Sequence, residues 1–165
     1  MSYIYVRDVS ILEIFDYLKN ELEKEIQLIN EVIKKYESEN ELRGILFGDY
    51  QIIGEYPAIT IGASGEDINW IATDATQQNV FNLIIMCYVK NLAREETEKY
   101  IVEFGETIRK ILTHPSRLRF KTSDGVVWDS IVSRIDFGTI KGGSVKACRL
   151  SYTAKSWTPI GIVKN

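Results

Sequence analysis

Tyr56-Pro57-Ala58-Ile59-Thr60-Ile61 opens the stretch that decides the fold, and Val80-Phe81-Asn82-Leu83-Ile84-Ile85-Met86-Cys87-Tyr88-Val89 is its centre. The first segment reads as a strand beginning at a proline, a position where no ladder donor is yet required. In the second, both parities are largely apolar: Phe81, Leu83, Ile85, Cys87 and Val89 on one face, Val80, Ile84, Met86 and Tyr88 on the other. That pattern predicts a central strand covered on both sides. Between the two, Gly62 to Asn79 carries few large apolar residues, namely Ile68, Trp70 and Ile71. It is too long for a tight turn and is expected as an extended hairpin arm or a mobile loop.

Working outward on the C-terminal side, Glu95 and Glu96 suit the first turn of a helix, where they complement its dipole. Ile101, Phe104, Ile108, Ile111 and Leu112 define its buried stripe, and Pro115 ends it near His114. His114 is expected to cap that helix end. Val126 to Phe137 and Ser144 to Ser156 read as strands joined in a hairpin around Lys141-Gly142-Gly143. The tail, residues 157–165, is apolar but contains Pro159 and Gly161, so it reads as a poor strand and as an arm that packs on something else.

On the N-terminal side, Leu42 to Ile53 reads as a strand. Ser10 followed by Glu13 gives a capping-box start. From there Ile11, Phe15, Leu18, Leu22, Ile29, Val32 and Tyr36 recur in threes and fours, with Glu25 on the stripe and Ile26 and Ile33 beside it. A helix from Ser10 to about Ser38 would be roughly 40 Å long. That exceeds what a small sheet covers, so either part of the stripe serves a neighbouring subunit or the helix is broken. The expected fold class is α+β: a mainly antiparallel sheet with a helix on one face and a long N-terminal helix, in one domain over residues 1–165.

The 165 residues are 45% hydrophobic and 26% charged, which excludes a disordered chain. No run approaches the ~18 apolar residues of a spanning helix, and no signal peptide is visible at the N-terminus. Cys87 and Cys148 fall inside strand patterns and read as buried thiols of a chain made in a reducing cytosol. The net charge of −3 is unevenly spread: −5 over residues 1–42, −6 over 43–107 and +8 over 108–165. Folding either mixes these segments into an ordinary solvated surface or leaves acidic and basic faces that meet across copies.

Reactive constellations are not found. Gly138 to Ser144 lacks the spacing of a phosphate loop, and there is no dinucleotide fingerprint and no H-E-x-x-H. One histidine and two separated cysteines make a poor zinc set. Two carboxylate groups, Glu66 with Asp67 and Asp74, and Asp124 with Asp129 and Asp136, are the only candidates for acid–base or magnesium chemistry, and Asp124-Gly125 is ordinary turn chemistry. No catalytic, cofactor or metal residue is assigned. Arg109, Lys110, Arg117, Arg119 and Lys121, with Phe120 and Trp128 nearby, would serve a small nucleic-acid-binding α+β domain, although a pI near 5.3 opposes nonspecific affinity.

The order of elements from Tyr56-Pro57-Ala58-Ile59 through the loop, the Phe81–Val89 strand, the Arg94–Thr113 helix and the Val126–Tyr152 hairpin resembles the tail terminator (tail completion) proteins of long-tailed bacteriophages, the lambda type. The resemblance covers about 100 residues, preceded by an N-terminal helix as in that family; the acidic length of that helix and the apolar tail depart from it. It implies a structural virion protein in the tail or neck, assembled in the host cytoplasm as a homo-hexameric ring with no active site. The implied partners are the tail tube protein and a head completion or connector protein, with DNA passing through the lumen unbound. The departures leave open another neck or head–tail connector, or a terminator from a contractile tail. Trp70, Ile71 and Trp157 are the expected assembly contacts.

Overall fold

The computed structural model describes residues 3–5, 9–48, 55–71, 76–159 and 161–163. The chain runs β1 (Tyr3–Tyr5), α1 (Ile11–Lys24), α2 (Ile26–Tyr36), β2 (Ile45–Phe47), β3 (Ala58–Ile71), β4 (Thr76–Lys90), α3 (Glu95–Leu112), β5 (Phe120–Lys121), β6 (Val126–Ile140), β7 (Val145–Pro159) and β8 (Gly161–Val163). Six strands form one mixed sheet in the order β2-β3-β4-β7-β6-β5. The β2–β3 ladder is parallel and the other four are antiparallel. The class is α+β.

The N-terminal stripe is not carried by one rod. Ser10 caps α1 with the expected box, its hydroxyl accepting from the Glu13 amide at 3.3 Å while its own amide donates to the Glu13 carboxylate at 3.4 Å. The helix then stops at Glu25, whose backbone (φ −103°, ψ 22°) leaves the helical region. A straight continuation would carry Glu25 inward along the stripe. The break resets the phase, so that Ile14, Leu18 and Leu22 of α1 and Ile29 and Ile33 of α2 are all fully buried. Ile14 and Ile33 therefore belong to the core, although the spacing left them off the stripe.

Helix α3 follows expectation, with acids at Glu95, Glu96 and Glu98 and a buried stripe of Tyr100, Ile101, Phe104, Ile108, Ile111 and Leu112. Thr113, not His114, is its C-cap. His114 instead opens a single 3₁₀ turn at Pro115–Arg117, its Nδ1 accepting from the Ser116 amide at 3.3 Å. α3 lies on the sheet with Gly105 against β7: a Cβ there would fall 2.3 Å from the Cys148 Sγ. Only a residue without a side chain permits that approach.

Two expectations for the sheet need correction. First, the helices cover one face only. Phe81, Leu83, Ile85, Cys87 and Val89 are buried against them; on the other face Val80, Ile84 and Met86 are only half-buried, while Tyr88 is buried with Val145 and Ala147 in a small second cluster at one end. Apolar character on both parities thus marks a second face that is buried only at its Tyr88 end and half-buried from Val80 to Met86. Second, of the hairpin arm and the mobile loop expected over Gly62 to Asn79 the arm is what forms, and strands also extend through the tail read as a poor strand. Gly62 to Ile71 and Thr76 to Asn79 are the paired upper halves of β3 and β4, with one register shift between Ala63 and Gly65. β7 continues through Trp157 to Pro159, and β8 pairs with β1, so the tail is ladder and not a loose arm. Only Ile45–Phe47 of the expected Leu42–Ile53 strand is β-structure; residues 49–54 lie outside the described residues.

Candidate assembly surface

The face of the sheet away from the helices is half-buried or exposed from Gln78 to Met86 among the described residues. Cross-strand register puts Met86 beside Arg149, Ile84 beside Ser151, and Asn82 beside Thr153. Ile131 of β6, 52% exposed, continues it outward. At its lower end a trough of about 520 Å³ is lined by Phe47, Thr60, Ile84, Met86, Ile140 and Arg149. In its middle a short polar chain holds the surface flat, Thr153 Oγ1 donating to Asn82 Oδ1 at 3.3 Å and Asn82 Nδ2 to Asp67 Oδ2 at 3.4 Å. The surface mixes apolar and singly charged side chains. It suits docking against another surface.

At its upper end the face turns aromatic and basic. Trp157, 54% exposed, meets Trp128 edge-on with ring centroids 5.6 Å apart. Trp128 reaches this position because it sits at the register shift between Val127 and Asp129 of β6, where an extra residue re-aims a side chain. The Lys155 ammonium lies 5.8 Å over the Trp128 ring. Arg119 and Val126 complete a cleft of about 400 Å³.

Of the expected contacts, Trp157 is thus exposed on this surface. Trp70 and Ile71 pair through their backbones with Gln77 and Thr76 in the β3–β4 arm, while their side chains lie outside the described residues. The basic cluster read from the sequence is divided, with Arg119 and Trp128 left at this cleft. Arg117 is turned inward, its Nε donating to Glu21 at 2.8 Å and its Nη2 to Glu25 at 2.9 Å. Burial would raise the Glu21 pKa, but hydrogen bonds and charge from Lys24 and Arg117 outweigh it and hold the carboxyl below its ordinary value. Phe120 is buried, stacked on Tyr17 at 3.6 Å. Burial, and secondarily Glu21, push the Tyr17 phenol up to about 12.

The carboxylates do not converge. Asp136 pairs with Arg134 at 2.7 Å, Asp129 stands across from Lys155, and the Asp124 amide donates to Glu13 at 3.4 Å. Glu66 and Asp67 lie on the arm, and Asp74 lies outside the described residues. Among the described residues no group of three or more His, Cys, Asp or Glu is placed to hold a metal ion. What sequence reasoning missed was the pairing of Trp128, Lys155 and Trp157. Its only signal was a tryptophan breaking the alternation of β6, which becomes meaningful once the register is known.

No family model matches the chain, and no curated protein matches it. The fold is shared with a chain of a solved structure described as the virion of a native gene transfer agent particle. The two superpose with a TM-score of 0.61 at 10% sequence identity, over 90% of this chain and 96% of the other.

Proposed function

We propose that the chain is a structural subunit of a phage-like virion and that its place is the end of the tail tube, which it caps as a terminator. The observation that carries this reading is the near-complete fold overlap with a virion chain, in both directions of coverage, despite 10% identity. The surface supports it: a wide uncovered sheet face and a long β3–β4 arm are means of assembly. Arg117 and Phe120, turned into the interior, are lost to a nucleic-acid-binding surface, which keeps Arg119, Lys121 and Trp128.

In this role six copies form a ring with no catalytic residue and no cofactor. One side of the ring imitates a tube layer and seats on the tail tube protein. The other cannot accept a further tube layer and receives the head-side connector. DNA passes through the lumen without being held, which favours a lining that is not basic. The subunit assembles in the host cytoplasm and ends in the neck of the particle.

The test is removal of the gene from the producing particle, followed by electron microscopy of the lysate. Overlong tubes unattached to filled heads are expected. Tubes of normal length that fail to join heads would make the chain a different neck or connector protein, and normal joined particles would refute both.

A further inference from the structure

The two lateral edges of the sheet carry opposite chemistry at the same height. One cross-strand row runs through Ile68, Asn79, Ser156, Val127 and Phe120, so it begins on β3 and ends on β5. Both ends of that row are edges. β2 pairs with β3 only from Ile59 to Ile61, which leaves the arm above it without a lateral neighbour among the described residues, and β5 has no strand beyond it. On the uncovered face the adjoining row is Asp67, Val80, Lys155 and Asp129. Asp67 on one edge therefore shares both face and level with the Trp128–Trp157 cleft on the other.

The chemistry of the two edges is complementary. Residues 62–79 include Glu66, Asp67 and Asp74 and no lysine or arginine. The opposite edge presents Arg119 and Lys121, both exposed and in none of the ion pairs among the described residues. It also presents Val126 at 46% exposure beside the two indoles. An apolar seat rimmed by one sign of charge, opposite an arm of the other sign, cannot be closed within one copy, because the whole width of the sheet separates them.

We propose that this cleft is the seat for the acidic β3–β4 arm of a second copy of the chain. The contact is heterologous, arm to cleft, so each copy offers one free end of each kind, and repetition closes a ring where the rotation per copy divides the full turn. It covers two sheet edges that would otherwise template uncontrolled pairing. The indoles and Val126 supply the buried centre, with Arg119 and Lys121 as the charged rim facing Glu66 and Asp67. This deepens the ring reading above by naming its contact.

Charge reversal tests it, read by native mass spectrometry and sedimentation. E66K/D67K reverses the arm and R119E/K121E reverses the rim of the cleft. All four positions are exposed, so circular dichroism should match the parent, and the melting midpoint should fall only slightly in E66K/D67K, where Asp67 no longer accepts from Asn82. Each variant alone should lose self-association at least tenfold. A one-to-one mixture of the two should assemble again, because every junction then pairs opposite charges. The quadruple variant should assemble as well. If the parent forms rings and neither reversal changes them, this contact is wrong and the ring reading survives. If the parent stays monomeric at high concentration, alone and with tail tube protein, both fail. If an oligonucleotide quenches indole fluorescence with a salt-dependent affinity that R119E/K121E abolishes, while self-association is untouched, the cleft is a nucleic-acid site and the proposal falls.

Discussion

Gly105 of α3 stands directly against Cys148 of β7, closer than any side-chain carbon could be accommodated. The helix is therefore seated on the sheet at a point where backbone meets sulfur. Cys148 in turn stands across from Cys87 of β4, and both thiols are buried and free.

Substituting Gly105→Ala should destabilise the fold. The added methyl either displaces Cys148 or lifts α3, and overpacking of this kind costs about 1–3 kcal/mol. Urea unfolding of the variant should show that loss, and C148A in the same chain should recover a large part of it. Additive losses in the double variant would mean that the methyl clashes elsewhere.

The two thiols should be inert in the native protein. A hydrogen bond with Cys148, followed by burial, raises the Cys87 pKa well above its ordinary value. Because the thiolate is the reactive form, Cys87 should not take up iodoacetamide at neutral pH until the chain unfolds, and Cys148, fully buried beside it, should be out of the reagent's reach. Labelling monitored by mass spectrometry should show both sites reacting together in denaturant and neither without it.

Arg117 holds the break between the first two helices, since its side chain, 12% exposed, is the shared partner of Glu21 and Glu25. Arg117→Met should lower stability by about 1.5–3 kcal/mol at neutral pH, the loss expected for hydrogen bonds to a charged group. The pH dependence follows from the lowered Glu21 pKa. A depressed carboxyl contributes stability above its unfolded pKa and loses it as the pH falls through the folded one. The gap between parent and variant should therefore be full at pH 6 and narrow progressively below about pH 4. A gap independent of pH would assign Arg117 a packing role only.

Trp70 and Ile71 sit at the end of the arm, where β3 and β4 pair beyond the helices. W70A/I71A should weaken binding to tail tube protein by about tenfold or more, equivalent to ~1.4 kcal/mol. The melting midpoint should hardly move. A protein that binds the tube normally would remove both residues from the assembly contact.

The sequence made the helices and the core parity of β4 readable because periodicity reports directly on what is buried. Ser10 with Glu13, the acids of Glu95 to Glu98, and the alternation from Phe81 to Val89 each carry a local cause. What escaped depends on partners distant in the chain. Glu25 ends a helix with neither Gly nor Pro nearby, and its carboxylate is held by Arg117, 92 residues away. The arm could not be told from a loop because its strands need no apolar alternation, only each other's backbones. Trp128 and Trp157 become neighbours only through the register of β6 on β7.

The one-sided sheet has a consequence for how such a protein can diverge. On β4, odd-numbered residues are committed to the helices, while the even-numbered ones from Gln78 to Met86 face outward and are only partly buried. Selection for folding therefore acts mainly on one parity, and selection for partners acts on the other. Substitutions at Arg149, Ser151 or Thr153 can alter what the surface recognises with little change in the free energy of folding. A lineage under pressure to match a changing partner can thus rewrite the outward positions from Gln78 to Met86 and those across from them on β7, and keep its backbone.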